Sequence, residues 1–233
     1  MAPIVAACFN VLVSLVLPVG MVVWLAIRRR KLLLPYAFGA LTFFISQILL
    51  RLPLLQLVNS SLWFQTASIV SPVIVSLTVG LSAGVFEEVG RYTTMRLMKK
   101  RRTLTDAVIF GLGHGGIEAV LLVGINNLGL LVAYPDQLLS IAPGMVVLAG
   151  IERVFAVMLH VGLSVMVMQA VEQRKLLLIL LAIVIHGIID GLLGVLQLSG
   201  WSIYAIELYV ALCSLGLLAY TIFTIRRKKF DEQ

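Results

Sequence analysis

The sequence predicts an all-α, polytopic membrane bundle of about seven transmembrane helices, and three observations predict it. The first is composition. Of 233 residues, 61% are hydrophobic and 12% charged, and the mean hydropathy of +1.06 is too apolar for a domain with an ordinary wet surface. The second is run length, since the apolar stretches reach the roughly 20 residues that a helical crossing of a ~30 Å hydrocarbon core needs. The third is charge placement: basic clusters follow every second run, as alternating crossings require.

The first run, 4–27, has no basic segment before it and no small-residue cleavage site ahead of Arg28, so it reads as a span rather than a cleaved leader. Runs 34–55, 68–97, 105–125, 144–171, 176–198 and 201–225 follow, each bounded by charge, Pro or Gly. The third and fifth exceed a simple crossing, which permits tilt. Segment 126–143, with Asn126, Asn127, Pro135 and Pro143, reads as the longest loop. No internal repeat or low-complexity tract divides the chain, so 1–233 reads as one integral membrane domain.

Arg28 to Lys31 follow the first span, Arg96 and Lys99 to Arg102 the third, Arg174 and Lys175 the fifth, and Arg226 to Lys229 the seventh. Of the Lys and Arg residues, this leaves Arg51, Arg91 and Arg153, which lie inside or at the ends of spans. The positive-inside rule makes the clustered side cytoplasmic, with the N-terminus outside and the C-terminus inside. The net charge of +7 therefore faces lipid headgroups and not nucleic acid. Cys8 and Cys213 sit in apolar runs with no CxxC spacing, so they report neither a redox pair nor a metal pair.

A charge at the bilayer centre costs at least about 2.5 kcal/mol on insertion scales, and so needs a partner, water or a function. Counted from the basic clusters at about 1.5 Å per residue, Glu88, His114, His160 and His186 all fall near the midplane on four different helices. Residues four apart share a helix face, which pairs Glu87 with Arg91, His114 with Glu118, and His186 with Asp190. If Arg91 offsets Glu87, Glu88 is the freer carboxylate. Gly111, Gly113, Gly115, Gly116, Gly187 and Gly191 crowd the same stretches and allow helices to approach closely.

Imidazoles combined with carboxylates can hold Zn²⁺ with an open position, or can position and deprotonate a water without metal. On this reading His114, His160 and His186 converge to hold Zn²⁺ or the water. Glu88 or Glu87 is the base, Glu118 and Asp190 orient imidazoles, and Arg91 is a structural counter-charge. Arg51, Glu152 and Arg153 lie near the outer helix ends, where a clamp or snorkelling is expected. Glu207 has no single reading, and Trp24, Trp63, Trp201 and Tyr204 fit interfacial belts.

At FEEVGR, GHGGIE, the helix of Glu152, Arg153 and His160, and HGIID, the sequence resembles the bacterial YhfC family of intramembrane metalloproteases over nearly all its length. That family is similar to the group of type II CAAX prenyl endopeptidases, CPBP proteins and PrsW proteases, whose motifs Glu87, Glu88, Arg91, His114, His186 and Asp190 match. Arg91 stands one residue closer to the Glu pair than in the prenyl endopeptidases, Asp190 replaces their Asn, and His160 is additional. The resemblance implies hydrolysis of a peptide bond in or near a bacterial plasma membrane, with a peptide or membrane-protein substrate amid membrane lipids. The alternatives are a proton- or cation-coupled transporter or channel, or a catalytically silent scaffold. No inverted repeat of broken helices supports the transporter.

Overall fold

The computed structural model describes residues 2–99 and 101–231. Among them run α1 (Ala2–Arg28), α2 (Arg30–Asn59), the short α3 (Leu62–Val70), α4 (Pro72–Leu97), α5 (Leu104–Val132), the short α6 (Pro135–Ser140), α7 (Pro143–Gln173), α8 (Leu176–Leu198) and α9 (Ile203–Asp231). Apart from α3 and α6, these are seven helices long and apolar enough to cross a membrane.

Two boundaries differ from the sequence reading for local reasons. The third span opens at Pro72 rather than at 68, because Ser71 leaves helical geometry (φ −138°, ψ 57°) and Pro72 takes the first helical position, where a missing N–H is harmless. Residues 62–70 are thereby cut off as α3. Segment 126–143 is not a loop, since α5 continues to Val132 and α6 fills most of the remainder. Asn126 and Asn127 do not end the helix because each amide donates to a carbonyl four residues back, Leu122 at 2.9 Å and Val123 at 3.1 Å.

Helix α7 is the axis of the bundle. Its apolar stretch is 72% buried, against 44% at most for any other span, and it packs on α1, α4, α5, α8 and α9. Phe110, Leu163, Val167 and Met168 form the centre of the main apolar core around it. Three spans widen locally into π-helical turns, at Leu12–Val16 in α1, Phe44–Arg51 in α2 and Val120–Gly124 in α5. Such turns rotate the side chains that follow and are frequent near functional sites.

Glycines set the closest crossings. A Cβ on Gly84 would meet the amide nitrogen of Gly187 at 2.9 Å, and one on Gly111 would meet the His160 carbonyl at 2.8 Å. The first contact brings the Glu87 turn of α4 against His186 of α8. The second brings the His114 turn of α5 against His160 of α7. Gly84→Val is therefore expected to destabilise the protein by about 1–3 kcal/mol or more, the range for overpacking a closed contact. Gly20→Val, at a position where an added Cβ meets nothing within 4 Å, is the matched control, and thermal unfolding in neutral detergent reads both.

The basic ends of the first and third spans adjoin: Arg101 donates to the Lys31 carbonyl, and Arg102 donates to the Arg96 carbonyl at 2.7 Å. Lys100 of that cluster and the side chains of Lys228 and Lys229 lie outside the described residues. With these clusters held cytoplasmic, a cysteine placed at position 136 is expected to label from outside only. Labelling from the cytoplasmic face alone would reverse the orientation.

Candidate functional site

Five helices contribute polar side chains to one buried cluster. Helix α4 supplies Glu87, Glu88 and Arg91, α5 supplies His114 and Glu118, α7 supplies Glu152, Arg153 and His160, α8 supplies His186 and Asp190, and the π-helical turn of α2 supplies Gln47 and Arg51. Glu88, Arg91 and His114 are wholly enclosed, and Glu87, His160 and His186 nearly so.

The centre of the cluster is one oxygen. Glu87 Oε2 lies 2.9 Å from His114 Nε2, 3.9 Å from His160 Nδ1, 4.0 Å from His186 Nε2 and 4.0 Å from Arg91 Nη2. The other oxygen, Oε1, accepts from the Gln47 amide. The three imidazoles gather as the sequence reading expects, with ring centroids 4.8 Å apart for His114 and His160 and 5.7 Å for His160 and His186.

The carboxylate assignment is reversed. Arg91 Nη1 donates to both oxygens of Glu88, at 2.9 and 3.0 Å, and His186 Nδ1 bonds the same carboxylate at 2.7 Å. Glu88 is thus the occupied acid and Glu87 the one facing the cavity, because the i,i+3 partner of Arg91 prevails over the i,i+4 partner once His186 arrives from α8. Glu118 likewise bypasses His114 on its own helix and bonds His160 Nε2 at 2.5 Å. Asp190 Oδ2 lies 3.6 Å from His186 Nε2.

Proton bookkeeping fixes the tautomer of His160. A guanidinium can only donate, so Nδ1, 3.1 Å from Arg91 Nη2, accepts, and Nε2 carries the hydrogen donated to Glu118. Arg153 then bonds Glu118 Oε1 at 2.7 Å and grips Glu152 with both Nε and Nη2. Arg153 therefore clamps α7 to α5, Arg51 clamps α2 to α4 through Ser82 and the Val79 carbonyl, and Glu152 pairs with Arg153 on its own helix; all three line the adjoining cavity rather than snorkel.

A cavity of about 360 Å³ adjoins this network, lined by Gln47, Arg51, Glu87, Glu118, Glu152, Arg153, His160, His186 and Asp190 among others. Gln47 is the residue that sequence reasoning missed. Its signal was present, since Gln47 and Arg51 stand four apart in an otherwise apolar span and share a face.

For a metal, the compact donor set is Glu87, His114 and His160, whose ligand atoms lie within 4.8 Å of one another. His186 is outside that set. Two imidazoles and a carboxylate fit zinc in donor type, and the Glu118 carboxylate behind His160 supplies the bracing that metal-bound imidazoles usually have. His114 Nδ1 is buried with no such partner.

The family profile described as YhfC intramembrane metalloprotease matches residues 13–211. The chain belongs to the YhfC family. It is 31% identical over 203 residues to the uncharacterized membrane protein YhfC of Bacillus subtilis (strain 168), covering 76% of this chain and 79% of that protein. The YhfC match spans all five site-bearing helices wholly or in part, from Gln47 to Asp190.

The two acids of this YhfC-family site are expected to separate in stability. Glu88→Gln leaves Arg91 without its bidentate carboxylate and should cost about 3–5 kcal/mol, as breaking a buried pair does. Glu87→Gln keeps the Arg91–Glu88 pair and should cost clearly less. Thermal or denaturant unfolding of both purified variants checks the order.

Proposed function

We propose that the chain is an intramembrane peptidase of a bacterial plasma membrane, hydrolysing a peptide bond of a peptide or membrane-protein substrate in or near the bilayer. The observation that carries this reading is the convergence of three imidazoles and a guanidinium on Glu87 Oε2 beside a cavity. One carboxylate oxygen so surrounded is held in place at a spot where a water can meet it.

Glu87 takes the proton of the attacking water as its oxygen adds to the carbonyl carbon, and returns that proton to the amine as the C–N bond breaks. Gln47 and His114 fix the two oxygens of Glu87, so little reorganisation accompanies the transfer. His186 is bound to Glu88 through Nδ1 and presents Nε2 towards Glu87 and Asp190, where it can hold the water or the substrate carbonyl. Glu118 orients His160, and Arg91 neutralises Glu88. A zinc ion held by Glu87, His114 and His160 would supply a bound water acidified towards neutrality and a Lewis acid for the carbonyl.

Glu87→Gln is expected to keep the fold and lower cleavage of membrane-tethered reporter peptides by roughly 10²- to 10⁴-fold, the usual loss of a general base. Unchanged cleavage by a folded Glu87→Gln variant would remove Glu87 from the chemistry. Ion or proton flux in liposomes that depends on Glu87, with no cleavage by the parent protein, would point to transport instead. Metal analysis of the parent beside His114→Ala and His160→Ala determines whether the donor set is loaded.

A further inference from the structure

Arg51 differs from the other two arginines within the spans. Arg91 holds Glu88, and Arg153 holds Glu118 and Glu152. Arg51 instead donates from Nε to Ser82 at 3.0 Å, from Nη1 to the Gln47 amide oxygen at 3.0 Å and from Nη2 to the Val79 carbonyl at 2.9 Å. All three acceptors are neutral, and among the described residues no carboxylate forms an ion pair with it. A guanidinium has five N–H groups, so two remain, one on each terminal nitrogen. A cation within a span needs a partner, water or a function; the three partners of Arg51 are neutral, and the described residues provide no anion in contact.

The position of Arg51 indicates where such an anion would come from. Arg51 lines the cavity that holds Glu87, and it also lines a second, apolar cavity of about 290 Å³ formed by α2, α3 and α4, with Leu54, Leu55, Val58, Phe64 and Val75 in its walls. It stands at the junction of the two. Through Gln47 it is one amide away from Glu87.

We propose that Arg51 anchors a carboxylate of the substrate, with the adjoining apolar part of that substrate lying in the α2–α3–α4 cavity and its neighbouring peptide bond reaching Glu87. This names the substrate class for the peptidase reading and rests on it. Two remaining N–H groups match the two oxygens of a carboxylate, the geometry in which guanidinium pairs are most selective. A phosphate can form the same bidentate pair, but only a carboxylate borne by the substrate itself would place a peptide bond beside Glu87. Of the acids lining the site cavity, Glu87 is engaged by His114 and Gln47, Glu118 and Glu152 by Arg153, and Asp190 stands beside His186. Arg51 is the cation left available to an incoming anion.

The test measures binding, so it does not depend on cleavage. The full-length protein in neutral detergent is titrated with N-lauroylglycine, N-lauroylglycinamide and monododecyl phosphate, and apparent affinity is read from the unfolding midpoint. The carboxylate is expected to bind at least about tenfold tighter than its amide, the worth of one charge-assisted hydrogen bond. Arg51→Gln should bring that ratio close to one, and Arg51→Lys should retain part of it if the Gln variant does not fold. Arg28→Gln, in the exposed basic cluster, should leave the ratio unchanged. Equal binding of acid and amide by the parent overturns the proposal, and tighter binding of the phosphate reassigns Arg51 to a lipid headgroup. Carboxylate selectivity without any peptide cleavage would leave the anchor standing and remove only the peptidase reading.

Discussion

The buried guanidinium of Arg91 is the constraint on which the polar interior depends. An ion enclosed in low dielectric costs several kcal/mol unless its hydrogens and charge are matched, and Arg91 is wholly enclosed. Its Nη1 takes Glu88, which leaves Glu87 to face the cavity. Its Nη2 donates to His160 Nδ1, so His160 must carry hydrogen on Nε2, so Glu118 must accept it, and the second oxygen of Glu118 is free for Arg153. Donor and acceptor roles thus propagate from α4 through α7 to α5 and back to α7, each fixed by the one before. The links from Arg91 Nη1 and Nη2 to Arg153 are satisfied and rigidify their members, while Arg91 Nε and His114 Nδ1 are buried without a partner.

Close helix approach is what lets so short a network close. Carboxylate and imidazole arms reach only a few ångströms, and ordinary side chains at Gly84 or Gly111 would hold the backbones too far apart for Glu88 to bond His186 or for Glu118 to bond His160. In lipid the apolar surface gives helices little reason to associate, so packing and the polar contacts themselves must supply it. The same residues therefore assemble the bundle and form the site. That explains why the site sits where α4, α5, α7 and α8 all come together, with α7 as the most enclosed span.

The sequence made the gross design legible because the signals were periodic or exclusive. Seven apolar runs, one-sided basic clusters and three histidines at one depth each follow from bilayer thickness and ion cost, and need no knowledge of packing. What was not legible depended on a second helix. Glu87 and Glu88 both lie within one turn of Arg91, and helix geometry alone does not choose between i,i+3 and i,i+4. The choice falls to His186, 98 residues away, which bonds Glu88. Glu118 passes over His114 for the same reason, since His160 comes closer from α7. The extension of α5 past Asn126 was hidden by a local effect, because amides that usually mark turns here bond back to carbonyls of their own helix.

Arg91 also bears on how the site can hold a cation. The His160 nitrogen that faces Glu87 Oε2, Nδ1 at 3.9 Å, is the one already accepting from Arg91 Nη2, and Glu87 Oε2 itself lies 4.0 Å from the same guanidinium nitrogen. A metal and Arg91 would draw on one lone pair, and two cations so close repel strongly when little water separates them. Arg91 cannot leave freely, because Glu88 would then lose its counter-charge inside the bundle. Metal binding at His160 and the Arg91–His160 hydrogen bond are therefore opposed. Because Nη1 holds Glu88 while Nη2 holds His160, a metal would have to displace Nη2 without disturbing Nη1, and where it does not, Glu87 stays a carboxylate base beside a guanidinium.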